Sequence, residues 1–302
     1  MMALSGAQQD DIAMTDTTAP IEQAGQTGTS TLSGVPETLL ITLAARLIAA
    51  RQNPDLRFAD PATEAVGKAL GFDPDRFSHD RASMRGCVVR GKWFDRIVAR
   101  FLQGNPQGLV VSVGSGLDTR PNRLAPPPGV DWVDIDFPEV VALREACVPP
   151  LPNVTALAAD ATDVAAWVDK VPWREGRPVL MIAEGVAMYL QPSQGMAWLN
   201  AMAAQATARG SSLTLALDLA SPLMVSQSHR HPSVSKTASL FHWGVRRPGD
   251  IPTAIPTLRL LETHDIARQC GLPSFLVASA YRLLTLGRPI YSCARFGTSD
   301  AD

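Results

Sequence analysis

Val111–Arg120 reads VSVGSGLDTR, and the fold is decided there. The apolar run Leu109–Val113 stops at Gly114, and Gly116 follows two residues later. A short buried strand that runs straight into paired glycines can turn sharply and bring its backbone against a ligand. Downstream, Asp131–Ile135 reads as a second strand ending in the acids Asp134 and Asp136, with a helix near Glu139–Ala146 after it. Val154–Ala159 is a third strand, followed by a helix around Val164–Val168, and Val179–Ala183 is a fourth, closed by Glu184. A helix from near Ser193 stops at Gly210, a C-cap residue, before a fifth strand at Leu213–Leu219. Leu258–Thr263 and Ile290–Phe296 complete the set, separated by a helical stretch that includes Leu276–Leu286. Strands alternating with helices predict an α/β fold: a doubly wound, mostly parallel seven-stranded, Rossmann-like sheet.

Upstream of the glycines the pattern is helical. Leu39, Leu40, Leu43, Leu47 and Ile48 recur on one face, and Pro61–Leu70 is framed by Asp60 as N-cap, Pro61 at the first position and Gly71 beyond the end. A third helix is expected from about Val88 to Leu102. Residues 36–105 are therefore read as a helical cap on a single domain spanning 36–302. Residues 221–256 show weak periodicity and are too long for a plain connector, so they are read as a lid insertion over the site. Residues 1–35 hold few large apolar side chains and no Lys or Arg. They are expected to be a disordered tail and neither a secretory nor a mitochondrial leader.

The chain has 302 residues, 46% hydrophobic and 19% charged, which suits one substantial core. A net charge of -2 gives no bulk reason to seek nucleic acid or an anionic membrane, so a small molecule is the expected partner. Cys87, Cys147, Cys270 and Cys293 form no metal-ligand spacing and suggest reduced thiols in a cytoplasmic protein; no metal site and no membrane span are expected.

An acid at the end of a second strand, about 20 residues past a glycine turn, is placed to accept hydrogen bonds from a ribose diol. A third small residue, wanted by a dinucleotide fingerprint where Thr119 stands, is missing, and no GxxxxGK[ST] loop occurs. Asp118 in the loop would repel a pyrophosphate and attract a sulfonium or ammonium. These features favour S-adenosylmethionine over a nicotinamide dinucleotide.

VSVGSGLDTR, then WVDIDFPEVVALR at Trp132–Arg144, then LMIAEGVAMYL at Leu180–Leu190 resemble the leucine carboxyl methyltransferase family, in order and in spacing. The likeness is greatest to its bacterial branch of tetracenomycin-type polyketide O-methyltransferases. It extends to RFADPATEAV at Arg57–Val66, VVRGKWFDRIV at Val88–Val98 and FHWGV at Phe241–Val245. The resemblance implies a class I methyltransferase fold and an S-adenosylmethionine cofactor. It implies that Arg90 grips the methionine carboxylate, that Gly114 lies against the cofactor, that Asp136 more than Asp134 takes the ribose, and that Asp160 with Ala161 meets the adenine. It gives Glu184 the cofactor's amino-acid end, which suits a carboxylate that would otherwise be costly beside an apolar strand. A lysine of the protein-methylating branch has no counterpart near Ile41 and Thr42.

With Gly116 and Asp118 added from the loop, these residues form the expected cofactor site. Tyr189 is the candidate for the acceptor pocket and the chemistry there. His229, His231, His242 and Trp243, with Lys236, are the lid residues that could orient an anionic acceptor. No His or Lys falls in a motif that marks a base, which favours an already ionised carboxylate over a hydroxyl as acceptor. The expected activity is O-methylation of a small polyketide-like secondary metabolite. Two other uses of the fold remain open on the residues alone: non-methyl chemistry such as cyclisation of the cofactor's aminobutyrate arm, and non-catalytic cofactor binding.

Overall fold

The computed structural model describes residues 35–230 and 240–298. The expected tail before Val35, and His231 and Lys236 of the lid segment, lie outside these residues. Strands β1 (Leu109–Val113), β2 (Asp131–Asp136), β3 (Val154–Ala158), β4 (Val179–Ala183), β5 (Leu213–Ala220), β6 (Arg259–Asp265) and β7 (Tyr291–Gly297) form one sheet. Their order is β3-β2-β1-β4-β5-β7-β6. β1 to β5 run parallel, and β7 is antiparallel to both β5 and β6. The doubly wound, mostly parallel seven-stranded reading therefore holds.

Both faces of the sheet are covered, which is why all five residues of β1 are buried and its apolar run, broken only by Ser112, does not alternate. Val111 and Val113 pack with Trp167, Trp198 and Met202 on one side. Val110 packs on the other side with Trp93, Phe94 and Ile97.

Helices α1 (Val35–Leu47), α2 (Pro61–Ala69) and α3 (Arg81–Gly104) precede β1. The Asp60 carboxylate accepts the Thr63 N–H at 3.0 Å, as the N-cap reading of α2 requires. α3 begins seven residues before the expected Val88. Asp80 accepts the Ser83 N–H at 3.2 Å and caps a first turn that is mostly polar, so apolar periodicity alone cannot detect it. Leu40, Leu43 and Ala44 of α1 join Val66, Met84 and Val88 in a cluster that also takes in Leu117 of the glycine loop. That cluster brings the helical section directly onto the loop.

The segment after β5 divides in two. Short helical turns occupy Pro222–Ser226 and Asp250–Ala254, and Gly244 forms an isolated parallel bridge to Ala220. Trp243, Val245, Ile251, Ile255 and Leu258 belong to the main core. A Cβ added to Gly195, on helix α4 (Pro192–Ala208), would sit 2.2 Å from the Trp243 ring. The second half of the expected lid is thus part of the packed body. No described helix is long and apolar enough to cross a membrane.

Candidate active site

Strands β3, β2, β1 and β4 end side by side, and the chain changes direction of travel across the sheet between β1 and β4. Such a switch point leaves a crevice at the carboxyl ends of the strands. Asp160 and Ala161 follow β3, Asp136 closes β2, Gly114 follows β1 and Glu184 follows β4. With neighbouring strands about 4.8 Å apart, this row is about 14 Å long, room for a nucleoside at one end and an amino acid at the other.

The loop after β1 is held by its acid. Gly114 and Gly116 have φ of +60° and +53°, in the left-handed region. A Cβ on Gly114 would also meet Val186 Cγ2 at 2.5 Å. The Gly116 N–H donates to Asp136 Oδ2 at 2.7 Å, and the Phe137 N–H donates to Oδ1 at 2.8 Å. Burial nevertheless keeps the Asp136 pKa above its ordinary value. Each oxygen retains a lone pair for a further donor such as a ribose hydroxyl.

Beside the loop, four guanidiniums interlock with five carboxylates. Arg90 donates from Nε to Glu184 at 3.0 Å, and from Nη1 to Asp218 at 3.0 Å and to the Tyr291 hydroxyl at 2.8 Å. The Tyr291 hydroxyl itself donates to Asp218. Arg120 spans Asp95 (2.7 Å), Asp118 (2.5 Å) and the other oxygen of Glu184 (2.5 Å). Arg123 reaches Asp60, Asp95 and Asp118. Burial depresses the arginines, but the surrounding acids and, at Arg90, the Tyr291 hydroxyl overcome it and raise Arg90, Arg120 and Arg123 above their ordinary values. Burial pushes Asp118 up, yet Arg120, Arg123 and Arg46 hold its carboxyl well below the usual carboxylate range. Asp118 is therefore not the uncompensated anion that the sequence argument required. The contrast with a pyrophosphate site cannot rest on it.

A cavity of about 520 Å³ opens from this wall. Arg46, Arg90, Gly114, Ser115, Asp118, Arg120 and Glu184 line it. Met188, Tyr189, Met224 and Phe241, which pack together, line it as well, with Val277 and Ile290. Tyr189 stands edge-on to Phe241, with ring centroids 5.3 Å apart. Burial raises the Tyr189 phenol and keeps it protonated, a donor and not a base. Burial likewise raises Cys87 and pushes Cys270 up to about 12. Among the described lining residues there is neither His nor Lys.

The site residues expected from sequence divide accordingly. Arg90, Gly114, Gly116, Asp118, Glu184 and Tyr189 meet on the cavity wall. Asp136, Asp160 and Ala161 lie along the strand ends beyond it. The Asp160 carboxylate accepts from the Thr162 N–H and hydroxyl, both at 2.8 Å, and the Ala161 carbonyl accepts from the Trp167 indole at 3.1 Å. Asp134 is a correction. It is 2% exposed, and its two oxygens are taken by the Arg144 guanidinium and the Trp132 indole, so it braces β2 and is not open to a ribose. Trp243 is a second correction, because it is a core side chain. His229 and His242 are exposed and do not line the cavity. Sequence reasoning passed over Asp218, Arg120 and Tyr291. Asp218 carried a signal, an acid inside the apolar run Leu213–Ala220, and it also accepts the Gly185 N–H at 2.7 Å.

Whether these residues fit S-adenosylmethionine is testable on atoms left without partners. Ser115 Oγ is buried on the wall with no hydrogen bond, and Arg90 Nη2 has no acceptor among the described residues. Open donors next to Glu184 match the carboxylate and ammonium of a methionine moiety. The residues fit.

The leucine carboxyl methyltransferase family model matches residues 39–203. The tetracenomycin polyketide synthesis O-methyltransferase TcmP of Streptomyces glaucescens is 30% identical over 231 residues, covering 76% of this chain and 83% of the relative. The S-adenosyl-L-methionine-dependent methyltransferase dpfgK of Gibberella zeae is 26% identical, covering 80% of this chain and 87% of its own. The crystal structure of a candidate methyltransferase from Thermobifida fusca YX superimposes with a TM-score of 0.50 at 17% identity. It covers 82% of this chain and 98% of that one, a likeness of fold.

Proposed function

The chain belongs to the leucine carboxyl methyltransferase family, and from that premise we propose that this S-adenosylmethionine-dependent methyltransferase methylates a carboxylate, in preference to a hydroxyl, on a small polyketide-like metabolite in the cytoplasm. One observation carries the choice of acceptor. No described group on the cavity wall is suited to take a proton near neutral pH: the phenols and thiols are raised, and Asp118 and Glu184 are each clamped by arginines. A carboxylate, with a pKa near 4, arrives ionised and needs no base, whereas a phenol near 10 would gain from one.

When bound, the cofactor supplies a methyl group on a sulfonium, open to in-line displacement. Arg90 Nη2 and Ser115 Oγ would hold its carboxylate, and Glu184 its ammonium. Asp136 would take the ribose, with Asp160 and Ala161 beside the adenine. Met188, Met224 and Phe241 keep water from the acceptor side, and the protonated Tyr189 hydroxyl donates to an acceptor oxygen and orients it.

The test compares transfer of a labelled methyl group to 2-naphthoate and to 2-naphthol at pH 7. The carboxylate should be favoured at least about tenfold in kcat/KM. Preference for naphthol would overturn the carboxylate reading, and wild-type protein that binds no S-adenosylmethionine in calorimetry would overturn the cofactor site with it.

A further inference from the structure

The four arginines of the charged wall are unequally provided for. Arg90, Arg120 and Arg123 each hold two or more carboxylates at 3.1 Å or closer. Arg46, on α1, does not. Its Nη2 donates to the Leu117 carbonyl at 3.0 Å, its Nη1 comes no nearer to Asp118 than 3.9 Å, and its Nε is buried with no partner. Asp118 is already engaged by Arg120 and Arg123, so it is not free to close the gap. The Arg46 side chain is only 10% exposed, and a buried guanidinium short of an anion is unfavourable until one arrives. Burial lowers its pKa despite Asp118, opposite in direction to the other three arginines.

Arg46 borders two spaces. One, about 10 Å³, has room for a single water at most. The other is the main cavity, so among the described residues a larger anion finds room beside Arg46 there.

We infer that Arg46 is a carboxylate-binding residue of the cavity, completed by a carboxylate that a ligand brings in. The inference rests on the methyltransferase reading and deepens it. Two ligand groups have this chemistry: the acceptor's carboxylate and that of the cofactor's methionine moiety. The acceptor is the better match, because Arg90 Nη2 and Ser115 Oγ already offer donors to the other.

The experiment uses the full chain with Arg46→Met, and with Arg46→Lys as the variant that keeps the charge. Calorimetry measures S-adenosylhomocysteine and its decarboxylated form, then 2-naphthoate and neutral 2-naphthamide on the homocysteine complex. Arg46→Met should weaken naphthoate about ten- to hundredfold and leave naphthamide and S-adenosylhomocysteine unchanged, with Arg46→Lys in between. A loss confined to S-adenosylhomocysteine, absent for its decarboxylated form, would support the same residue with the cofactor as the source. Equal affinities of wild type and Arg46→Met for all four ligands overturn the inference. So does a wild type that prefers neither carboxylate-bearing ligand over its neutral counterpart. Should Arg46→Met fail to fold, Arg46→Lys binding both carboxylates as tightly as wild type overturns it too. Intact methyl transfer with an unresponsive Arg46 removes this inference alone, whereas absence of S-adenosylmethionine binding removes the reading beneath it.

Discussion

At one end of the cavity, four arginines and five carboxylates interlock beside the ends of β1 and β4. Elsewhere on the lining, Met188, Tyr189, Met224 and Phe241 pack into a chargeless patch drawn from short turns and a loop, with Val277 of the Leu272–Leu284 helix. The charged end is over-determined everywhere but at Arg46, since each other member has two or three partners. Buried ion pairs of this kind contribute little net stability over apolar packing, so their value lies in fixed geometry. A fixed geometry suits a cofactor that is the same in every turnover, with Arg46 left over to meet the acceptor's carboxylate. The apolar end relies on non-directional burial and suits an acceptor selected by shape.

The contrast can be broken most forcefully at Arg120. Its side chain is 2% exposed and touches Asp95, Asp118 and Glu184. Arg120→Met keeps volume but removes the cation that three buried acids share. Destabilisation of about 3–5 kcal/mol is expected, because uncompensated buried charge is what remains. In thermal unfolding this corresponds to a fall of roughly 6–20 °C for a domain of this size. A midpoint within about a degree of wild type would mean that solvent reaches these carboxylates and the wall is not interlocked.

How much of this the sequence disclosed follows from the distances over which partners converge. The strand–glycine–acid series was legible because β1, Gly114 and Asp136 signal through local pattern. Glu184 was legible because a carboxylate beside an apolar strand demands a reason. Asp218 posed the same demand within Leu213–Ala220, but its partner Arg90 stands 128 residues away. Asp118 was misread for a related cause. The residues that neutralise it include Arg46, brought from the first helix by the packing of α1 on the loop. Trp243 looked like a lid aromatic because its burial depends on Gly195, and no spacing links the two. Asp134 and Asp136 sit two residues apart, so their side chains share a sheet face. Only the approach of Arg144 and the Trp132 indole separates the bracing acid from the open one.

A smaller effect probes the apolar end. Tyr189→Phe removes one hydroxyl that makes no hydrogen bond to the described residues, and it keeps the ring against Phe241. Stability should change by less than about 0.5 kcal/mol. The KM for 2-naphthoate should rise about five- to tenfold with S-adenosylhomocysteine affinity unchanged, as expected for one lost hydrogen bond to a charged group. Equal weakening of both ligands would show that the two ends are mechanically coupled.

The smallest expected effect is a flat line. Between about pH 6.5 and 9, kcat/KM for 2-naphthoate should vary less than about twofold, because efficient acid–base catalysis would need a group titrating in that window. Burial raises Tyr189, Tyr291 and Cys87, Cys270 is pushed up to about 12, and Asp118 is held low, so these wall groups keep their protonation across it. The sign reverses only in acid. Asp118 is depressed in the folded chain, so its stabilising contribution is complete above its unfolded value near 4 and is lost as pH falls below that. The acceptor carboxylate is protonated in the same range, so activity and stability should decline together below about pH 5. A rate that climbs tenfold per pH unit between about 6.5 and 8 would require a base with a pKa above that range. The raised Tyr189 phenol and the raised Cys87 and Cys270 thiols lie above it, so such a slope would make one of these wall groups the base and overturn the donor role given to Tyr189. The apolar end would then be doing proton chemistry as well as selection by shape.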